Sequence, residues 1–202
     1  MTAEPGTTEA PRKIVVLVSG TGTILQSLID AERDSAVATD YKIIAVGADK
    51  PDIEGLARAE RAGIPTFVVN PLKSSSRVEW DQALAERLSD YRPDWVVSAG
   101  FMRILGPQVL RKFPNRIINT HPSLLPSFPG AHAIDDALSH GVKVTGCTVH
   151  IVDSGVDTGP ILAQVAVSVE SGDDSETLHE RVKQVERKLL IDTINQLCTQ
   201  DQ

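Results

Sequence analysis

The sequence predicts a single α/β domain, built on a mostly parallel, twisted sheet with helices on both faces and an antiparallel edge at the C-terminal end. Two observations support this fold class. Short apolar runs alternate with segments of helical spacing up to residue 121, the pattern of strands joined by helical crossovers. Beyond residue 140 two longer strand-like runs follow one another, which favours antiparallel pairing. A chain of 202 residues can form one such domain with a full hydrophobic core.

The first four predicted elements are two strands and two helices. Residues 13–19 (KIVVLVS) form a short, continuous apolar run rich in branched side chains, as in a strand buried on both faces. Residues 23–34 follow with helical spacing, and residues 41–48 form a second strand-like run. Residues 53–63 again have helical spacing and end at Gly63, a residue type that commonly terminates helices.

Three further strands and one long helix complete the parallel part of the predicted sheet. The strands are expected over residues 64–70, 94–100 and 116–121. Residues 74–91 are expected to form the helix, because they open with serines that can cap its N-terminus. Apolar side chains recur on one face of this helix, at Trp80, Leu84, Leu88 and Tyr91.

The last part of the chain changes pattern. Residues 142–152 and 159–169 are the two longer strands, and a charged helix follows over about 175–199. Together with the parallel strands, these two strands and the final helix make a Rossmann-like arrangement. Because no repeat or low-complexity linker divides the chain, residues 12–202 are expected to form one domain. Residues 1–11 are polar, lack the apolar core of a secretion signal and are expected to be a disordered tail.

Composition narrows the class of partner. The formal net charge of −7 disfavours nucleic acid, which needs clustered Lys and Arg to neutralise phosphates. No apolar run approaches the roughly 18 residues of a spanning helix, so no membrane partner is expected. Cys147 and Cys198 lie far apart in the chain and suit a reducing compartment. We therefore expect a cytoplasmic protein that acts on small molecules.

A glycine-rich turn, VSGTGTILQ at residues 18–26, joins the first strand to the first helix. Gly20 and Gly22 allow backbone N–H groups to face a ligand, and the helix N-terminus that follows favours an anion. The turn is not a dinucleotide fingerprint, because Leu25 occupies the third glycine position, and it lacks the Gly-Lys-Ser/Thr of a Walker loop. A tight turn without any ligand explains the pattern equally well.

The stretch INTHPSLLPSFPG, residues 118–130, has the most unusual composition in the chain. If its first residues are extended, Asn119 and His121 point to the same side. An amide donor beside an imidazole can hold a developing oxyanion and move a proton. On these residues alone, a catalytic site and an ordinary stiff loop are about equally supported. The backbone is restricted by three prolines, Pro122, Pro126 and Pro129.

Two other loops follow predicted strands. DSGVDTGP, residues 153–160, supplies Asp153 and Asp157 as candidates for a base or for orienting His121, although Asp and Gly are also common turn residues. AGFMRILGP, residues 99–107, can line a pocket for a flat ring or simply pack in the core. The histidines have no ligand-like spacing, so no metal is expected.

Together these motifs, in this order and spacing, resemble the folate-dependent formyltransferases, and among them the enzymes that formylate glycinamide ribonucleotide in purine synthesis. The resemblance spans about residues 13–197 and is most specific at INTHPSLLPSFPG, supported by SGTGTILQ, AGFMRIL and DSGVDTGP. It implies transfer of the formyl group of 10-formyltetrahydrofolate to the amine of that ribonucleotide, without a metal. One departure is Ile24, where many members have Asn, so that a side-chain contact from this position is lost.

The resemblance also implies a role for individual residues. The catalytic residues would be Asn119, His121 and Asp157. The ribonucleotide would be bound by Gly22, Thr23, Ile24 and Glu186. The folate would be contacted by Arg77, Met102, Arg103, Ile104, Leu105, Asn119 and Asp153.

Three alternatives have to be separated from this interpretation. Methionyl-tRNA formyltransferase shares the catalytic residues, but it carries an additional C-terminal domain that is not expected here, and RNA binding does not suit the acidic charge. Formyltetrahydrofolate hydrolase usually carries an N-terminal regulatory domain and differs after the catalytic histidine. A non-catalytic module that binds a sugar phosphate is the alternative outside enzymes. The sequence leaves the oligomeric state open, with a homodimer as one alternative.

Overall fold

The computed structural model describes residues 10–200. Residues 1–9 of the expected tail lie outside the described residues. Within residues 10–200 there are seven strands: β1 Arg12–Val18, β2 Tyr41–Ala48, β3 Thr66–Val68, β4 Trp95–Ser98, β5 Ile117–His121, β6 Val144–Ile151 and β7 Ile161–Ser168. The six α-helices are α1 Thr23–Arg33, α2 Glu54–Arg61, α3 Arg77–Tyr91, α4 Pro107–Lys112, α5 Ala133–Ser139 and α6 Ser175–Gln200. A short 3₁₀ turn, Pro71–Lys73, precedes α3.

All seven strands belong to one sheet with the order β3-β2-β1-β4-β5-β6-β7. Strands β1 to β5 pair in parallel, whereas β6 is antiparallel to both β5 and β7. The predicted fold class, including its antiparallel C-terminal edge, is confirmed. From β1 the chain first builds outward through β2 and β3 and then returns to place β4 on the other side. In open α/β sheets the ligand crevice lies at such a reversal, outside the carboxyl ends of the strands.

Every predicted strand and helix is present, although several ends differ. The third strand is reduced from the predicted 64–70 to Thr66–Val68, at the edge of the sheet. The serine cap predicted for α3 is observed, because the Ser76 side chain accepts a hydrogen bond from the Glu79 N–H. Helices α4 and α5 were not predicted. They have only 6 and 7 residues, too few for a helical period to stand out in the sequence.

The core lies on both faces of the sheet, and β1 contributes to both halves. Val16 faces the cluster formed with α1 and α6, whereas Leu17 faces the cluster formed with α3 and α4. Both side chains are fully buried, which explains why this strand is apolar at consecutive positions. Burial of each such side chain contributes roughly 1.5–3 kcal/mol. Among residues 10–200, no helix combines the length and apolar character needed to cross a membrane.

Candidate active site

A cavity of about 600 Å³ opens at the carboxyl ends of β1, β4 and β5. Its walls are the loops after β1, β4 and β6, the end of β5, and one face of α6. This placement at the reversal of strand order follows from the topology of the sheet. The cavity brings together all the predicted site residues except Arg77. Arg77 instead lies in the first turn of α3, with its guanidinium carbon 4.3 Å from the centre of the Trp80 ring.

His121 is held between two hydrogen-bond acceptors at the end of β5. Its Nε2–H donates to the Phe128 carbonyl oxygen at 2.7 Å, and its Nδ1 lies 3.3 Å from Oδ2 of Asp157. The Asp157 carboxylate is fixed in turn by the Gly130 N–H, which donates to Oδ2 at 2.8 Å. A neutral ring carries only one N–H, so only the imidazolium form of His121 donates to both neighbours. The ring of His121 is therefore oriented by one acceptor at each of its two nitrogens.

His150 is a third member of this cluster and was not among the residues predicted for the site. The register of β5 and β6 places His150 opposite Asn119. Its Nδ1–H donates to the Ile151 carbonyl at 2.9 Å, while its Nε2 lies 3.2 Å from the Asn119 amide nitrogen and 3.5 Å from Oδ1 of Asp157. A neutral His150 thus accepts from Asn119, and a charged one donates to Asp157. The ring lies between the amide and the acid, and its Nε2 can bond only one of them in each form.

The Asp157 carboxyl is kept ionised by these neighbours. Burial favours the neutral acid and is the largest single effect on its pKa. The hydrogen bonds from His150 and Gly130, together with the charges of His121 and His150, outweigh burial and hold the pKa below the usual range. The backbone at Asp157 is left-handed, with φ of 55°, a conformation that Asp tolerates better than most residues. The loop thus aims a carboxylate, and not a carboxylic acid, at His121.

The glycine turn after β1 forms another part of the cavity lining. Gly22 has φ of 68° and caps the N-terminus of α1. A Cβ at this position would also lie 2.7 Å from the Gly55 Cα, so both backbone conformation and space require glycine. Thr23 and Ile24 begin the helix, whose first N–H groups favour an anion. Lys183, on α6, lines the same cavity and adds a positive charge.

Glu186 is a buried acid at the cavity wall. It is 4% exposed and accepts a hydrogen bond from the Thr120 hydroxyl, on the side of β5 opposite Asn119 and His121. Burial raises its pKa above the usual value, although the Thr120 hydrogen bond and the charges of Lys183 and Arg187 oppose the shift. A carboxyl group kept in this position costs stability, which is typical of a residue retained for function.

Glu186→Gln is expected to raise the Tm at pH 7 by roughly 2–4 °C, the scale of about 1 kcal/mol in a domain of this size. The pKa of Glu186 is higher in the folded protein than in the unfolded chain. Glu186 therefore contributes its full stability below the unfolded pKa, where it is protonated in both states, and this stability is lost as the pH rises through the folded pKa. Glutamine has no charge to bury, so the gain should disappear below about pH 4. Thermal melts from about pH 3 to 8 measure this, with the exposed Glu180→Gln as control. An unchanged or lower Tm at pH 7 would contradict the burial cost.

The loop after β4 gives the cavity an apolar wall. Met102 and Ile104 are 69% and 65% exposed, whereas Leu105 is buried. A hydrogen bond connects this loop to the end of β1, because the Met102 N–H donates to the Ser19 hydroxyl at 2.9 Å. Arg103 also lines the cavity, and its Nε–H donates to the buried carboxylate of Asp49 at 2.7 Å. Large exposed apolar side chains on a fixed loop suit a flat, partly apolar ligand.

Asp153 lines the cavity but does not approach His121. Its Oδ1 accepts from the Gly155 N–H at 3.0 Å and from the Thr158 hydroxyl at 2.7 Å. These bonds close the turn that presents Asp157. The two acids of the loop therefore differ in their surroundings: one shapes the turn and the other faces the histidines. Among the described residues, no cluster of three His, Cys, Asp or Glu side chains is arranged to bind a metal.

Comparison with known proteins gives matches over most of the chain. Residues 12–194 match the formyl transferase family model. The phosphoribosylglycinamide formyltransferase of Mycobacterium tuberculosis (strain ATCC 25618 / H37Rv) is 52% identical over 192 residues, which cover 94% of this chain and 86% of that protein. The trifunctional purine biosynthetic protein adenosine-3 of Homo sapiens is 47% identical over 177 residues, covering 88% of this chain and 17% of that protein.

A solved structure shows the same fold. The crystal structure of glycinamide ribonucleotide transformylase 1 from Symbiobacterium toebii has a TM-score of 0.90 at 45% sequence identity, covering 94% of this chain and 88% of that chain. The sequence match and the likeness in structure both extend over nearly all the described residues. The chain belongs to the formyl transferase family.

Proposed function

We propose that this formyltransferase transfers the formyl group of 10-formyltetrahydrofolate to the amine of glycinamide ribonucleotide in de novo purine biosynthesis. The observation that carries the proposal is the contact of His121 with Asp157 beside Asn119, in a cavity that an anion-favouring turn and an apolar wall also line. The names of the relatives support this choice of substrate, because two of them name glycinamide ribonucleotide or phosphoribosylglycinamide and the third names purine biosynthesis.

In the proposed reaction, the amine nitrogen attacks the formyl carbon and the formyl oxygen becomes an oxyanion. An N–H of the Asn119 amide donates to this oxygen, and the His121 imidazolium stabilises its charge. The Asp157 carboxylate accepts the amine proton through a water molecule. When the tetrahedral intermediate collapses, the carbon–nitrogen bond to the folate breaks and the same proton passes to the leaving folate nitrogen. No metal or covalent enzyme intermediate takes part.

The two substrates would bind to different parts of the cavity lining. The ribonucleotide phosphate would bind the backbone N–H groups around Gly22, Thr23 and Ile24, near the charge of Lys183, with Glu186 reaching the glycinamide part. The folate ring would lie against the apolar wall after β4. Its remaining contacts would come from Arg103, Asn119, Asp153 and the backbone from Met102 to Leu105. Arg77 remains a predicted folate contact, although it does not line the cavity in this structure.

The remaining expectations from the sequence are part of this proposal. We expect residues 12–202 to act as one domain in the cytoplasm on small molecules alone, with no nucleic acid partner. The acidic net charge and the two buried cysteines support this. A homodimer is one alternative for the oligomeric state.

A single assay tests the proposal. Purified protein with 10-formyltetrahydrofolate should change the folate absorbance only when glycinamide ribonucleotide is also present. Equal turnover without the ribonucleotide would identify a hydrolase instead, and formylation of methionyl-tRNA would identify the RNA-directed relative. Binding of the ribonucleotide without turnover would indicate a binding module.

A further inference from the structure

Helix α2 holds the glycine turn through two consecutive carbonyl groups. The Gly55 N–H donates to the Gly20 carbonyl at 3.0 Å, and the Arg58 Nε–H donates to the Thr21 carbonyl at 2.9 Å. A second nitrogen of Arg58, Nη1, donates to the Gln26 side chain on α1 at 3.0 Å. The Arg58 side chain is only 24% exposed. One guanidinium group therefore connects α2, the turn and α1.

These contacts decide where the N–H groups of the turn point. In a planar trans peptide the carbonyl and the N–H of the next residue point in opposite directions. Because the carbonyls of Gly20 and Thr21 are drawn toward α2, the N–H groups of Thr21 and Gly22 point away from it. Within the described part of the chain, neither N–H has a hydrogen-bond partner. Both residues line the cavity, so these donors are available to a ligand there.

We propose that Arg58 is a positioning residue for the substrate phosphate. It does not line the cavity and would not touch the phosphate. It fixes the Thr21 carbonyl so that the Gly22 N–H is aimed at the phosphate before binding, and it places a positive charge behind the turn. Fixing a donor in advance removes an ordering cost from binding. The identity of the phosphate ligand rests on the proposed function, whereas the effect of Arg58 on the turn does not.

The same helix offers a matched control. Arg61 is three residues further along α2, pairs with Glu54 at 2.6 Å, and has a side chain 60% exposed. Among the described residues it makes no hydrogen bond to the turn. Substitution of either arginine removes one positive charge from the same helix. A difference between the two variants therefore reports the contacts of Arg58 and not the net charge.

The kinetic test compares Arg58→Met, Arg58→Lys and Arg61→Met. Methionine keeps an apolar stem against Gly22 and suits a helix, but it removes both hydrogen bonds. Arg58→Met should raise the KM for the ribonucleotide on the order of tenfold, because a hydrogen bond from a charged group is lost. Its kcat and the KM for the folate should stay within about twofold. Arg58→Lys should recover much of the loss, since it can still donate to the Thr21 carbonyl.

A binding test separates this inference from the proposed function. Titration of the ¹⁵N-labelled protein with inorganic phosphate should shift the amide signals of Thr21 and Gly22 in the native protein and in Arg61→Met. In Arg58→Met the apparent Kd should be weaker by a similar tenfold. This result would support the role of Arg58 even if the ribonucleotide assay gave no turnover. If Arg58→Met matches Arg61→Met in phosphate Kd, Arg58 does not position the turn and the inference is wrong. Should Arg58→Met not fold, the same comparison with Arg58→Ala decides the matter by the same criterion.

Discussion

Asp157→Asn should reduce kcat on the order of 10³-fold while changing both KM values little. The change removes the carboxylate that faces Nδ1 of His121 at 3.3 Å and Nε2 of His150 at 3.5 Å, which is the proton acceptor in the proposed reaction. Asparagine also tolerates the left-handed backbone, so the turn keeps its shape. Steady-state kinetics with each substrate varied in turn measure the effect.

The pH dependence of this variant follows from the direction of the Asp157 pKa. Because the pKa is lowered, the carboxylate stays ionised well below neutral pH, and the loss in kcat should be constant between about pH 5 and 8. Because the Asp157 pKa is lowered, its ionised carboxylate stabilises the folded protein above the pKa of the unfolded chain. This stability is lost as the pH falls through the folded pKa. Asp157→Asn should therefore lower the Tm slightly at neutral pH and approach the native value in acid.

Asp153→Asn is the control for this prediction. Its Oδ1 accepts from Gly155 and Thr158 within its own turn, and the amide oxygen of Asn can accept the same bonds. We expect a kcat close to that of the native protein. If Asp157→Asn retains a near-normal kcat, or if Asp153→Asn abolishes activity instead, the acid has been misplaced and the transfer needs another proton acceptor.

Asn119→Ala and His121→Ala should each lower kcat by about 10²–10³, the usual cost of losing one oxyanion donor. Asn119 presents its amide at the cavity wall, and His121 lies between the Phe128 carbonyl and the Asp157 carboxylate; in the proposed reaction both stabilise the oxyanion. The double variant should lose less than the product of the two single losses, because residues that act as a unit are not additive. Single-turnover rates of folded variants measure the chemical step.

His132→Ala provides a matched histidine control for these variants. Its side chain is 79% exposed, and its only ion-pair contact among the described residues is with Asp135 at 4.0 Å. Its kcat should be unchanged. Activity within a few-fold of the native protein in a folded Asn119→Ala or His121→Ala would remove that residue from the catalytic assignment.

Strand periodicity explains how much of this site could be predicted from the sequence. Asn119 and His121 are two residues apart in a strand, so their common side follows from the alternation of side chains alone. The glycine turn and the loop after β4 could be located because parallel strands end at the same edge of the sheet. These arguments need only local pattern and chain order.

Other parts of the site depend on contacts that local pattern does not contain. His150 reaches Asn119 only through the register of β5 and β6, which the sequence leaves open. Glu186 sits within an ordinary charged helix, and only the family resemblance singled it out. Arg58 acts across a helix–turn contact that depends on the approach of Gly55 to Gly22. The fold was therefore easier to predict than the side chains that complete the site.

The left-handed backbone at Asp157 limits how this enzyme can be altered by evolution or by design. In proton transfer, Asp and Glu are chemically interchangeable acids with similar pKa values. At this position they differ, because a left-handed conformation costs most residues about 1–2 kcal/mol while Asp and Asn can adopt it with local hydrogen bonds. A designer who wishes to move the carboxylate by one methylene must rebuild the loop along with the side chain. The backbone at this position most readily accepts Asp, Asn and Gly. Of these three, only Asp has a carboxylate.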